Sequence, residues 1–190
     1  MILKIIETRR LLLKGLSPND MKLIFENNSK DEIKNILGHR SEEDFIKEEF
    51  KQRSGYSSYN RSFILFLLID KASNCIIGRC ALHNWNKENS RAEIGYHIED
   101  NNFKRQGLMS EAIEAILEYG FNQINLNRIE ALASVNNIPS LQLLEKYNFK
   151  REGILSQHRK TLDQYEDSVL LSLLYDDYNC STNKKSTEIK

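Results

Sequence analysis

The stretch Asn101–Phe121, NNFKRQGLMSEAIEAILEYGF, changes character halfway along. From Met109 onward the apolar residues Met109, Ala112, Ile113, Ile116, Leu117 and Phe121 recur at helical spacing, which describes one buried face. A helix therefore begins near Gly107, directly behind the cations Lys104 and Arg105. The first turn of a helix leaves backbone N–H groups without partners, and the macrodipole makes that end partly positive. Gly107 removes a side chain where an anion has to approach the backbone, and Ser110 adds a hydroxyl within the first turn. The segment reads as a phosphate site. It is neither a P-loop nor a GxGxxG dinucleotide loop, since both patterns are missing from the chain.

Working outward, Arg10 to Leu16 predicts a strand, and the turn Ser17-Pro18-Asn19-Asp20 caps a helix over Met21, Leu23, Ile24 and Phe25. A second helix is expected over Ser41 to Arg53, with Ser41 as cap and Asp44 three residues on. Ser54 to Ser62, rich in Ser, Tyr and Asn, reads as a loop. Three strands are expected at Phe63 to Asp70, Cys75 to His83 and Arg91 to Glu99, with antiparallel connections. After the Gly107 helix come a strand at Arg128 to Val135 and a helix at Pro139 to Tyr147. A closing strand pair is expected at Phe149 to His158 and Tyr165 to Leu174. One α+β domain over residues 1–175 accounts for these elements, and 176–190 reads as a polar, disordered tail.

With 190 residues, 40% hydrophobic content and 27 basic against 27 acidic side chains, the chain is of single-domain size with a real core. Zero net charge and the lack of a recognition motif argue against a nucleic-acid module. The longest apolar run, Phe63 to Ile69, is too short to span a bilayer, and Lys4, Glu7, Arg9 and Arg10 interrupt the N-terminal region, so no secretion signal is visible. Cys75, Cys80 and Cys180 are odd in number and have no metal-type spacing, which suits reduced thiols in a cytoplasm.

Six motifs in order carry a resemblance: ETRRLLLKGLSPNDMKLIF, AEIGYHIED, KRQGLMSEA, NRIEA, NNIPSLQLLEKYNF and REGIL. Together they span about Thr8 to Leu174, and the chain resembles the GNAT superfamily of N-acetyltransferases, in particular its RimJ/RimL branch, which acetylates ribosomal-protein N-termini. The resemblance implies a mixed, strongly twisted sheet of about seven strands that splays between its fourth and fifth strands, with acetyl-CoA in the cleft. It implies acetyl-CoA contacts at Ile98, Lys104, Arg105, Gln106, Gly107, Leu108, Met109, Ser110, Asn137 and Ser140. Lys104 stands where the family has Gln or Arg, and Met109 where it has Gly or Ala. Asn137 matches the asparagine that bonds the pantetheine arm, and Ser140 the serine near the thioester. On the residues alone, Asn137 and Ser140 are equally good helix-start residues.

Transfer from a thioester needs a neutral amine, a stabilised oxyanion and a departing thiolate. An α-amine has a pKa near ~8 against ~10.4 for lysine, so an N-terminal acceptor needs only a modest base. Glu93 in AEIGY is the candidate base, with pairing to Arg91 or a lysine as its structural alternative. Where many GNAT chains carry the tyrosine that protonates sulfur, this one has Leu144; Tyr147 lies one turn on and reads as a core aromatic with a surface hydroxyl. Ser140 is then the residue that can hydrogen-bond sulfur. His83 and His97 can titrate near neutrality but read as ordinary strand-end histidines, with no second residue spaced for a metal. Trp85, in the loop HNWNKEN, reads either as a wall of the acceptor pocket or as plain packing. Lys146, Lys150 and Arg151 form a basic cluster that either meets the 3′-phosphate or is a solvated face.

The acceptor expected from this resemblance is a protein N-terminus. A polyamine or aminoglycoside is the rival, for which Glu42, Glu43, Asp44, Glu48 and Glu49 offer an acidic cluster that a solvated helix surface explains equally well. A noncatalytic acyl-CoA-binding regulator is the alternative of another class. Pairing into a homodimer is compatible with the resemblance, and the residues themselves do not decide it.

Overall fold

The computed structural model describes residues 4–54, 62–161 and 164–180. The described residues form one sheet of eight strands: β1 (Lys4–Glu7), β2 (Leu11–Leu16), β3 (Ser62–Asp70), β4 (Cys75–Asn86), β5 (Arg91–Ile98), β6 (Arg128–Ser134), β7 (Lys150–Lys160) and β8 (Tyr165–Leu174). The spatial order is β1-β2-β3-β4-β5-β6-β8-β7. Every neighbouring pair is antiparallel except β5 and β6, which are parallel. The α+β mixed sheet expected from the sequence is therefore present, with one strand more than expected. The addition, β1, is only four residues long and carries a charge at each end, too little to register as a strand pattern.

The apolar run of β3 explains how the layers assemble. Ile64, Phe66 and Leu68 join one core with Leu11, Leu13 and the helix α4 (Leu108–Glu118), whose Ala112, Ile113, Ile116 and Leu117 are buried. Leu67 enters a second core on the opposite face, with Phe63 and Leu65 packed against it. A strand covered on both faces has no need of polar alternation. The second core is closed by α1 (Pro18–Asn27), α2 (Lys30–Leu37) and α3 (Glu42–Ser54), through Met21, Ile24, Ile33, Leu37 and Phe45. Ser17 caps α1 in a capping box with Asp20, as the Ser-Pro-Asn-Asp turn suggests. The α2 helix was not expected, although Ser29 and Glu32 form a second capping box and Gly38 closes it in the left-handed conformation at φ +70°.

Past Glu118 the chain widens into a π-helical turn over residues 119–123, with the Ile124 N–H donating to the Tyr119 carbonyl at 3.1 Å. The helix α5 (Ile138–Lys146) follows β6, with Asn137 as cap and proline in its first turn. A helix covers residues 175–180, so 176–180, expected to belong to the disordered tail, are helical instead. The Tyr178 ring stacks on Phe121 at 4.8 Å and its hydroxyl donates to Glu118 Oε2 at 2.8 Å, so the packed chain runs past residue 175. The expected loop at 54–62 falls mostly, and the remaining tail wholly, outside the described residues.

One close approach holds β5 onto β4. A Cβ on Gly78 would lie 2.4 Å from the His97 carbonyl oxygen, a backbone atom that cannot swing aside. Gly153, by contrast, has nothing within 4 Å of such a Cβ. Gly78→Ala should therefore lower stability by about 1–3 kcal/mol, and Gly153→Ala should stay within about 0.5 kcal/mol of the parent. Urea midpoints at unchanged m-value check both; equal effects at the two sites would contradict the close approach.

Candidate active site

The pairing of β5 with β6 covers only Arg91↔Arg128, Ala92↔Ile129 and Glu93↔Glu130. Beyond Glu93 the two strands part. On its other edge β5 stays in register with β4 as far as Ile98, while β6 follows β8 along its whole length. The edge of β5 from Ile94 to Ile98 is thus open, a span of about 15 Å with backbone groups free to pair with an amide-bearing chain. This is the splay expected between the fourth and fifth strands.

On one face of the sheet this opening meets the start of α4. Gly107 is the N-cap at φ +77°, and no side chain caps the helix; the first helical bond is from the Glu111 N–H to the Gly107 carbonyl at 3.0 Å. Arg105 is also left-handed, at φ +60°. Lys104, Arg105, Gln106 and Gly107 are exposed, whereas Leu108 and Met109 are buried. The large side chain at Met109 therefore sits in the core and leaves the backbone of the turn uncovered. Such a turn can hold a diphosphate.

The loop is anchored from a distance. Glu111 Oε1 accepts from the Thr8 hydroxyl at 2.6 Å and the Arg10 N–H at 2.7 Å, and Oε2 accepts from Arg10 Nε at 2.8 Å. Arg10 Nη1 then donates to the Gln106 carbonyl at 2.9 Å. Burial alone would push the Glu111 carboxyl up, but the Thr8 and Arg10 hydrogen bonds and the Arg10 charge outweigh it, bringing the pKa to about 2.

On the other face lies a cavity of about 490 Å³. Among the described residues its walls come from Glu48 and Lys51 on α3, Phe63 and Leu65 on β3, Arg79, Ala81, His83 and Asn84 on β4, and Gly95, Tyr96 and His97 on β5. Glu93 stands beside it at the last paired position before the splay. Two like charges on adjacent strands, Glu93 and Glu130, are resolved unequally. Arg91 donates to Glu130 Oε2 at 3.0 Å and Arg128 to Glu130 Oε1 at 2.7 Å, so the Arg91 pairing considered for Glu93 goes to its neighbour. Glu93 instead accepts from Asn84 Nδ2 at 2.9 Å, with His83 Nε2 at 3.6 Å from its other oxygen.

Ser140 and Asn137 meet at the start of α5, where Asn137 Oδ1 accepts from the Ser140 N–H at 3.3 Å. Tyr96, which sequence reasoning passed over, shares a 2.8 Å hydrogen bond with the Ser140 hydroxyl, and burial raises its pKa. The only signal for it was its place in AEIGYHIED, three residues past Glu93. Ser110 is already engaged by α5: its hydroxyl accepts from Lys146 Nζ at 2.6 Å and shares a 2.8 Å bond with Tyr147 Oη. Tyr147 thus turns its hydroxyl to the first turn of α4 rather than to the surface, and burial raises its pKa as well.

Trp85 and the two charge clusters take the packing and surface alternatives. Trp85 lies within β4 rather than in a loop, packs against the α4-side core, and is not among the described walls of the cavity. The basic cluster is divided, with Lys146 on Ser110, Lys150 on Asp177 and Arg151 on Glu145. The acidic cluster of α3 is divided too: Glu42 pairs with Lys30 and Lys34, Glu43 with Lys47, Glu49 with Arg53, and Asp44 bonds Ser41. Only Glu48 of that set lines the cavity, against Arg79 and Lys51. Among the described residues no three His, Cys, Asp or Glu side chains group as a metal site, and no helix is long and apolar enough to cross a membrane.

Comparison with known proteins gives this opened sheet and uncapped helix a family. Residues 10–150 match the family described as Acetyltransferase (GNAT) domain. The chain belongs to the GNAT family of N-acetyltransferases. It is 39% identical to the uncharacterized N-acetyltransferase p20 of Bacillus licheniformis over 60% of this chain and 63% of that one, less than two thirds of the relative's length. It is 31% identical to the uncharacterized N-acetyltransferase YoaA of Bacillus subtilis over 81% of this chain and 87% of that one. A ribosomal-protein-serine acetyltransferase of Escherichia coli is 27% identical over 62% of this chain and 65% of its own length. Among solved structures, a GNAT-family acetyltransferase from Bacillus anthracis superimposes with a TM-score of 0.64 at 25% identity, covering 91% of this chain and 99% of that one. The spermidine/spermine N-acetyltransferase SpeG of Vibrio cholerae shares the fold, with a TM-score of 0.68 at 23% identity over 92% and 99% of the two chains.

The Glu111 anchor has a measurable pH signature. A carboxyl held at about 2 when folded and near ~4.3 when unfolded contributes stability above the unfolded value and loses it as pH falls toward 2. Glu111→Gln should lower stability at pH 7 by about 1–3 kcal/mol and flatten the dependence between about pH 4.5 and 2. Urea unfolding across that range checks it; an unchanged slope would show that the anchor is not ionised as described.

Proposed function

We propose that the chain transfers acetyl from acetyl-CoA to the α-amine of a protein N-terminus. The observation that carries this reading is the opening between β5 and β6, which joins the Gly107 turn on one face to the Glu93 cavity on the other. In this reading the coenzyme's diphosphate takes the backbone N–H groups of Leu108, Met109 and Ser110, with Lys104, Arg105 and Gln106 around it. Its pantetheine arm pairs with the open β5 edge as far as Ile98 and meets Asn137 across the cleft. The thioester then lies beside Glu93 and Ser140.

Glu93 takes the proton of the attacking amine, and the Ser140 hydroxyl, backed by Tyr96, donates a hydrogen bond to the departing sulfur. A coenzyme A thiol is acidic enough to leave with that much help, with Leu144 in place of the usual tyrosine. Burial keeps the Tyr96 hydroxyl protonated, so this donor persists at high pH.

The cavity's charge supports a peptide over a polyamine. A polycation calls for several unpaired carboxylates, and the α3 acids are spent on lysines, an arginine and a cap, while Arg79 and Lys51 offset Glu48. Phe63, Leu65 and Ala81 give it an apolar floor for the first side chains of an acceptor. The kinship with a protein named for ribosomal-protein-serine acetylation points the same way.

The test offers acetyl-CoA with N-terminal peptides, spermidine and an aminoglycoside, reading products by mass spectrometry. Acetylated α-amines are expected, and exclusive acetylation of a small amine would overturn the acceptor. Glu93→Gln should lower kcat/KM by about 10²-fold or more near neutrality and recover part of the rate above the α-amine pKa of ~8. An undiminished rate would remove Glu93 from the chemistry.

A further inference from the structure

The β4 strand breaks register between His83 and Asn86, and Asn84 takes a left-handed conformation at φ +49°. Such a bulge turns two consecutive side chains toward one partner. Here the partner is Glu93: Asn84 Nδ2 donates to one carboxylate oxygen, and His83 Nε2 faces the other. Both His83 and Asn84 also line the cavity.

Gly95 completes the arrangement. It lies two residues beyond Glu93 on the same side of β5, and a Cβ there would stand 2.9 Å from His83 Nε2. The imidazole therefore lies across a strand position that has no side chain, which is what lets it come to 3.6 Å from the carboxylate. That distance is just beyond hydrogen-bond length, as is common before a substrate tightens a site. The His83 side chain is 37% exposed against 18% for Glu93, so the histidine is the member of the pair that solvent reaches.

We propose that His83 is a proton-relay residue acting through Glu93, held in place by the β4 bulge and by the absence of a side chain at Gly95. This rests on Glu93 being the base. The amine nitrogen forms a C–N bond to the acetyl carbonyl carbon, the C–S bond breaks, and sulfur leaves as a thiolate that solvent later protonates. The proton from nitrogen passes to Glu93 and from there to His83 Nε2, while the Nδ1 proton goes to cavity water. Both side chains return to their starting charge. Asn84 is a positioning residue that fixes the carboxylate oxygen not used in the relay. The charged and titratable groups facing His83 are Glu93 and His97 on β5, Arg79 on its own strand, and Glu48 and Lys51 on α3. Of these Glu93 is the carboxylate that faces its Nε2 at 3.6 Å, whereas Glu48 pairs with Arg79 and Lys51.

The experiment measures kcat/KM against pH for the wild type, His83→Gln, His83→Ala, Gly95→Ala and Glu93→Gln, using an N-terminal peptide that the wild type acetylates, with and without added imidazole. The relay predicts unchanged urea midpoints and KM for acetyl-CoA in the His83 variants, and a loss of about tenfold in kcat. It also predicts a shallower acid limb, and for His83→Ala a rate that rises with imidazole concentration. Gly95→Ala should show the same altered profile with the histidine still present. A wild-type pH profile and no imidazole response in the His83 variants, with Glu93→Gln impaired, would overturn the relay and leave Glu93 as base. Full activity of Glu93→Gln would overturn both.

Discussion

The structure depends on hydrogen bonds that β5 and β6 do not make. Parallel strands held side by side normally continue pairing until one ends, because an unpaired backbone group away from water is costly. Here pairing stops after Glu93 and Glu130 although both strands continue. Each has a stronger commitment elsewhere: β5 to β4, where Gly78 permits a very close approach, and β6 to β8, paired along its full length. The sheet is pulled open by its two halves, and the opening is what a ligand bearing amide groups can fill.

Everything placed around that opening follows from sidedness. Alternation along β5 sends Ala92 and Ile94 into the α4-side core and leaves Gly95 and His97 on the cavity, with Tyr96 packed against that core while also reaching the cavity wall. One strand thus presents the Tyr96 hydroxyl, bonded to Ser140, and, three residues before it, the Glu93 carboxylate, whose partners come from β4. At the closed end Arg91 and Arg128 both go to Glu130, and Glu93 beside the cavity accepts from Asn84 instead. A carboxylate tied to arginine holds its charge more tightly than one bonded to an amide.

Local patterns carried much of this. The α4 helix, the uncapped turn at Gly107, the caps at Ser17 and Asn137 and the buried side chain of Met109 were all legible as spacing and residue type, and motif order pointed to the splay. What was not legible is long-range. Glu111 reaches Arg10 across 101 residues and Tyr96 reaches Ser140 across 44, and no periodicity announces either bond. The bulge that turns Asn84 toward Glu93 depends on how β4 meets β5, so Trp85, next in line, was misplaced in a loop. The α2 helix was legible in principle, since Ser29, Glu32 and Gly38 mark its ends. Its apolar stripe is only Ile33, Ile36 and Leu37, too short for periodicity to declare.

The central claim is that the open β5 edge and the Gly107 turn are one binding surface for the coenzyme. Amide hydrogen exchange with and without coenzyme A tests it most directly, because the unpaired N–H groups on that edge and in that turn should exchange fast in the free protein. The account predicts slowed exchange in two separate segments, 94–98 and 107–110, at the same coenzyme concentration. Protection confined to other segments, or to only one of these two, would contradict it.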